Sequence, residues 1–238
     1  MEKLSGKICL VTGGTRGIGR AIAKTLLEDG ASVVICGRSQ NFVDRAVAEL
    51  QSETGGKVTG KAADVRSNAD VGELFQFADA QFGGLDVLVN NAGVGVFRPI
   101  WELTVQDWLY TIETNLTGVF YCCREALSRF ESRGAGYIIN ISSLAGKNAF
   151  PGGAAYNASK FALTGFSEAM MLDTRYRNVR VSYIMPGSVA TEFSPGAEQG
   201  RDWKIWPEDI AEIVGMLLRT PARTLISRLE VRPSLPKR

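Results

Sequence analysis

Short, continuously apolar, β-branched runs alternate with longer amphipathic stretches along this chain, and few architectures absorb that pattern. Ile8–Thr12 and Ser32–Cys36 are apolar at most positions, as strands are when both faces of a sheet are covered. Between them, Arg16–Glu28 sets Ile18, Ala21, Ile22, Leu26 and Leu27 along one helical stripe, closed by Gly30. Strands are predicted again over Val58–Ala62, Val87–Asn90, Tyr137–Ile141 and Val179–Met185, with a last one over Leu225–Val231. Helices are predicted over Ser67–Gln81, over Thr104–Arg133 with Thr104 as N-cap, over Tyr156–Tyr176, and from Pro207 to Leu218. Repeated β-α units of this kind predict an α/β fold: a doubly wound, mostly parallel sheet of about seven strands between two helical layers. Such a sheet takes its ligands at the carboxyl ends of the strands.

The 238 residues fit one domain, 1–238. Gly187–Trp206, rich in Gly, Pro and charge, is the one long stretch without periodicity and is the expected substrate loop. A net charge of +2 gives no reason to expect nucleic acid or an anionic membrane as partner. No run reaches the roughly eighteen apolar residues of a membrane span. Met1–Lys7 is polar and runs straight into the first strand, unlike a signal peptide. Cys9, Cys36, Cys122 and Cys123 form no CxxC pair, so no metal site is expected and a reducing cytoplasm is the simplest location. The chain has no histidine. Ser-His-Asp and Cys-His hydrolysis and His-ligated zinc are therefore excluded, and any proton carrier must be Asp, Glu, Lys, Tyr or Cys.

Two turns carry the marks of a dinucleotide site. The first strand ends in Thr12-Gly13-Gly14-Thr15-Arg16-Gly17-Ile18-Gly19 and opens a helix. Glycines there let backbone approach a pyrophosphate, and the helix N-terminus supplies free N–H groups. This makes the expected sheet Rossmann-like. The second strand ends in Gly37-Arg38-Ser39, where an NAD site carries an acidic residue for the ribose 2′-OH. A guanidinium suits a 2′-phosphate instead, with Arg16 in reach of the same group, so NADP(H) is expected over NAD(H). Asp64-Val65 after the third strand is either part of this site or, through Asp64, a helix cap. Asn91-Ala92-Gly93 after the fourth either admits an adenosine ribose or makes a tight turn.

Tyr156 and Lys160 stand at i and i+4 on one helix face, with Ser143 thirteen residues upstream of Tyr156, just past the fifth strand. A phenol titrates near 10, and an ammonium about 4 Å away contributes at most roughly 4 kcal/mol, about three pKa units, toward its ionised form. Tyr156 is then a plausible proton carrier. Ser142 competes with Ser143 for the neighbouring hydroxyl role; the thirteen-residue offset favours Ser143.

Together these motifs resemble the short-chain dehydrogenase/reductase family in its compact branch, over nearly the whole chain. Thr12–Gly19 matches its TGxxxGxG loop, Asn90–Gly93 its NNAG motif, Asn115 its lone helix asparagine, and Ser143, Tyr156 and Lys160 its catalytic residues. Pro186, Gly187, Val189 and Thr191 match its PGxVxT segment. The resemblance implies hydride transfer between nicotinamide and a carbonyl or alcohol carbon of a small or medium organic substrate. In it Tyr156 acts as acid or base, Ser143 bonds the substrate oxygen, Lys160 also bonds the nicotinamide ribose, and Asn115 holds a relay water. Asn115 as a residue bonding backbone inside the helix is the other reading of that position. Gly13, Thr15, Arg16, Gly17, Ile18, Gly19, Arg38, Ser39, Asp64, Val65, Asn91, Ala92 and Gly93 form the expected cofactor site, with Tyr156, Lys160 and the PGxVxT residues. The helices beginning near Thr104 and Tyr156 suit a homodimer or homotetramer, as in the family.

Val94, Val96, Leu144, Phe150 and the Phe193–Trp206 loop are the candidate substrate lining; Trp203 and Trp206 either cap an apolar pocket or anchor the loop. A dinucleotide-binding redox sensor without turnover is the rival reading, and it has no use for a complete proton-handling set. The tail LISRLEVRPSLPKR departs from the glycine-rich final strand of β-ketoacyl carrier-protein reductases, which puts a fatty-acid role in doubt.

Overall fold

The computed structural model describes residues 4–193 and 203–236. The order is β1 (Ile8–Val11), α1 (Gly17–Glu28), β2 (Ser32–Gly37), α2 (Gln40–Thr54), β3 (Val58–Ala62), α3 (Asn68–Phe82), β4 (Val87–Asn90) and α4 (Val105–Ile112). Then follow α5 (Gly118–Arg133), β5 (Gly136–Ile141), α6 (Ala154–Thr174), β6 (Val179–Pro186), α7 (Pro207–Arg219) and β7 (Arg228–Val231). The strands form one sheet in the order β3-β2-β1-β4-β5-β6-β7, and every pairing is parallel. The α/β, doubly wound, Rossmann-like architecture is as the alternation predicts.

The continuous apolar runs follow from having a core on each face. Cys9 and Val11 of β1, with Val33 and Ile35 of β2, face the core shared with α1, α2 and α7. Their neighbours Ile8, Leu10, Val34 and Cys36 face the core shared with α3, α5 and α6. A period of two therefore leaves no position polar. All four cysteines are free and buried, and burial pushes each thiol up, so they act as small hydrophobes.

Three elements differ from the sequence expectation. Helix α2 has no counterpart in it: only Val43, Ala46 and Leu50 are buried along its 15 residues, too sparse a stripe to register as periodicity. The helix expected over Thr104–Arg133 is interrupted by a π-helical turn at Glu113–Thr117, although Thr104 caps it as expected, accepting from the Asp107 N–H at 3.0 Å. The last strand is confined to Arg228–Val231. Of the expected substrate loop, residues 194–202 lie outside the described residues.

The topological switch, where β1 leads to β2 on one side and β4 lies on the other, puts the β1 and β4 turns side by side. Thr12 joins them. Its hydroxyl accepts from the Asn91 and Ala92 N–H groups, both at 3.0 Å. The Asn91 side-chain amide donates back to the carbonyls of Thr12 and Gly13 at 3.0 and 3.1 Å.

Candidate active site

A cleft of about 1750 Å³ runs along the carboxyl ends of the strands. That exceeds the few hundred to about 1,000 Å³ usual for one small ligand. It is lined by Gly13, Thr15, Arg16, Gly17, Ile18, Arg38, Ser39, Asp64, Val65, Asn91, Ala92, Gly93, Ser143, Tyr156, Lys160, Pro186, Gly187, Val189 and Thr191. Of the expected site residues, Gly19 and Asn115 do not line it. A Cβ on Gly19 would collide with the Gly13 carbonyl and the Asn91 amide, so this glycine seats α1 against the turn.

The glycine turn is built for close approach. Gly13 has φ +64°, and a Cβ there would stand 3.0 Å from the Ala92 Cα. Gly17 has φ +54°, with the Thr191 methyl 3.3 Å from where its Cβ would be, so the segment after β6 rests on the turn. Arg16 and Ser39, at the N-caps of α1 and α2, make no side-chain capping bond, and neither first turn holds an acidic residue. By contrast α3 is closed by Ser67 and α4 by Thr104. The α1 and α2 ends, like that of α6, thus keep free N–H groups and an uncompensated positive dipole.

At the end of β2, the Arg38 guanidinium donates to the Tyr110 hydroxyl at 2.9 Å. Arg66 lies over the Tyr110 ring, 5.0 Å from its centroid. Tyr110, Arg66 and Arg45 line the cleft and were not foreseen; they reach it through space from positions whose local sequence carries no signal. Asp64 is not the cap of α3, a place Ser67 takes by accepting from the Asp70 N–H. Its carboxylate is instead bound by the Arg66 side chain, at 2.5 Å from Nη2, and that hydrogen bond holds it below the ordinary carboxylate range. Arg16 pairs with Glu192 at 3.1 Å, both exposed.

Tyr156 and Lys160 rise from the first turns of α6, which begins at Ala154 rather than at Tyr156. The Ser143 hydroxyl accepts from the Ala145 N–H at 3.1 Å, opening a short 3₁₀ turn, and is near enough to the Tyr156 phenol to favour its ionised form. Ser142 turns the other way, toward the Thr164 hydroxyl at 3.4 Å.

The expected charge relationship is corrected. The Lys160 Nζ stands 5.8 Å from the Tyr156 ring centroid and donates to the Ile141 carbonyl at 2.9 Å. Burial pulls the ammonium down to about 8 from 10.5. Burial also raises the Tyr156 phenol, with the nearby Ser143 hydroxyl acting against it. Burial thus shifts both groups toward their neutral forms relative to water, because removing water penalises charge more than their separation rewards it.

Asn115 sits in the π-helical turn, a distortion common at functional positions. Its side chain accepts from the Val94 N–H at 2.8 Å and donates to the Val94 carbonyl at 2.9 Å and the Ser159 hydroxyl at 3.0 Å. It clamps the segment after β4 to α6 beside Lys160, as a residue bonding backbone. Gly93 completes this corner: its Cβ would lie 3.3 Å from the Asn115 Oδ1 and 3.9 Å from the Lys160 Nζ.

Of the expected substrate lining, Val94, Leu144, Phe150, Phe193 and Trp203 border the cleft, while Val96 and Trp206 do not. Trp206 belongs to the start of α7, its N–H donating to Asp209 at 2.8 Å. Phe97, not foreseen, does line the cleft. Among the described residues no helix is long and apolar enough to cross a membrane, and no cluster of potential metal ligands exists.

The family model described as short chain dehydrogenase matches residues 7–202. The chain is 37% identical to a 3beta-hydroxysteroid dehydrogenase of Mediterraneibacter gnavus over 87% of its length and 79% of the relative's. It is 39% identical to human dehydrogenase/reductase SDR family member 4, over 81% of this chain and 69% of that one. A metagenomic short-chain oxidoreductase solved in complex with NADP superposes with a TM-score of 0.87 at 36% identity, covering 98% of this chain and 100% of that one. An alcohol dehydrogenase from the archaeon Thermococcus sibiricus, complexed with 5-hydroxy-NADP, gives 0.90 at 30% identity, with 98% of each chain covered. In sequence and in fold, then, the chain belongs to the short-chain dehydrogenase/reductase family.

Proposed function

We propose that the protein is an NADP(H)-dependent oxidoreductase that moves a hydride between nicotinamide and a carbonyl or alcohol carbon, with Tyr156 carrying the proton. One observation carries this reading: the Ser143–Tyr156 hydroxyl pair and Lys160 open on the same cleft as the glycine turn and Arg38. The residues present fit a dinucleotide. Gly13 lets the β1 turn pack against Asn91 and Ala92, and the open ends of α1 and α2 offer N–H donors to phosphate oxygens. Arg38 and Ser39 would hold the 2′-phosphate, joined by Arg16, whose exposed pairing with Glu192 costs little to break. Val65, Ala92 and Gly93 would border the adenosine, and Pro186, Gly187, Val189 and Thr191 the nicotinamide half. The Asp64 carboxylate and the Asn91 amide, already engaged by Arg66 and the glycine turn, would shape the site rather than bond the ligand through those atoms.

The bound nicotinamide supplies or accepts the hydride. The chain's own work is on the substrate oxygen. Ser143 donates a hydrogen bond to that oxygen, and Tyr156 gives up its Oη proton as negative charge develops there. A phenol raised by burial holds its proton at neutral pH, the state required of an acid in carbonyl reduction. Lys160, near 8, titrates close to neutrality and is anchored for a second contact to the nicotinamide ribose. Asn115 fixes the backbone that carries this corner. Phe120, Phe161 and Leu172, exposed on α5 and α6, support association of two copies through these helices.

The test is NADPH oxidation with a panel of ketones and quinones, in the wild type and in Tyr156→Phe. The variant is expected to lose at least about a hundredfold in kcat while binding NADPH, followed by its fluorescence, as the wild type does. Wild-type-like turnover without the phenol overturns the assignment.

A further inference from the structure

Three phenylalanines close around Tyr156, each from a different strand-end segment. Phe97 follows β4, Phe150 lies between β5 and α6, and Phe193 follows β6. Their ring centroids stand 5.5, 6.5 and 5.8 Å from that of Tyr156. Phe97 also meets Phe150 at 5.8 Å and Phe193 at 6.5 Å. All three remain 38–41% exposed and all line the cleft, so each ring keeps a surface toward whatever sits before the phenol. Two glycines make room for the cluster. A Cβ on Gly95 would fall 2.6 Å from Phe97 and 2.8 Å from Phe193, and one on Gly153 would fall 2.6 Å from Phe150.

Resting on the oxidoreductase reading above, we propose that this triad selects neutral ketones bearing a flat aromatic ring within a few bonds of the carbonyl. The substrate ring packs among Phe97, Phe150 and Phe193 while the carbonyl oxygen faces Ser143 and Tyr156. Tilted and edge-on rings such as these, at interplanar angles of 48–71°, present both edges and faces, the surfaces an incoming aromatic ring pairs with. A cationic headgroup is also attracted to aromatic faces. Here, however, of the acidic residues lining the described cleft, Asp64 is taken by Arg66, and Glu192 is exposed on the rim, where solvent screens its charge. The reaction balances as ketone, NADPH and one proton giving secondary alcohol and NADP⁺.

The experiment compares benzylacetone with its ring-hydrogenated counterpart, cyclohexylbutanone, whose carbonyl has the same reactivity and whose carbon skeleton is the same. Diacetyl serves as a small reference carbonyl. The wild type is expected to favour benzylacetone in kcat/KM, and Phe97→Leu and Phe193→Leu are each expected to lower the benzylacetone-to-cyclohexylbutanone ratio about 3–10-fold. Gly95→Ala, which displaces both rings without deleting either, is expected to lower it in the same direction. NADPH binding by each variant verifies that it is folded. Equal use of the two ketones by the wild type overturns the aromatic assignment, as does a ratio unchanged in all three variants. Turnover of diacetyl alone overturns the substrate class and leaves the oxidoreductase reading standing. No turnover of any carbonyl, with NADPH bound, overturns both.

Discussion

Lys160 donates to the main-chain carbonyl of Ile141, the last residue of β5, at 2.9 Å, so the one buried ammonium beside the phenol is tied to the sheet rather than to an acid. Among the described residues no carboxylate offsets its loss of water, and its folded-state value falls to about 8 from 10.5. In that window the unfolded chain holds a proton that the folded chain has released, so stability rises with pH. Relative to Lys160→Met, the wild type is expected to gain roughly 3 kcal/mol between pH 8 and 10.5. Below pH 8 both states are charged and the contribution is flat. Urea unfolding of both proteins at pH 7.5 and pH 10 reads this difference directly; parallel behaviour would show the ammonium to be solvated.

Arg38 is held by the Tyr110 hydroxyl at the mouth of the proposed phosphate site. Arg38→Ala is expected to raise the NADPH KM at least about tenfold, as the loss of a charge-assisted bond would, with a much smaller change for NADH. Tyr110→Phe removes one neutral partner and is expected to raise the NADPH KM only about 2–5-fold. Steady-state kinetics with each cofactor decides it, and equal effects on NADPH and NADH would remove the 2′-phosphate from the account.

Asn115 satisfies both backbone groups of Val94 and the Ser159 hydroxyl from a buried position. Asn115→Ala leaves the Val94 N–H and carbonyl unpaired, while Ser159 keeps its bond to the Tyr156 carbonyl, and is expected to cost about 2–4 kcal/mol in urea unfolding. A loss under about 0.5 kcal/mol, within the range of inert surface changes, would show that water replaces the amide at no cost.

Where sequence and structure agree, the signal was local. The alternation of β1 and β2 between two cores is written residue by residue, and the glycine turn and the Tyr156–Lys160 spacing each sit within a few positions. What escaped depends on distance. Helix α2 buries too few side chains to show a stripe. Tyr110 and Phe97 meet the cleft only because the sheet brings separate segments together. Spacing along a helix says nothing of how much water the fold removes, so it does not set the protonation of the Tyr156–Lys160 pair.

The helices that begin at the cleft, α1 and α2, lack the side-chain caps that finish α3 and α4. On the proposed reading the dinucleotide phosphates complete them, so the cofactor is also a structural part. A ligand at a hundredfold excess over its Kd adds about 2.7 kcal/mol to folding. The empty chain is then the more perishable form, and how long a copy survives in the cell follows the supply of NADP(H).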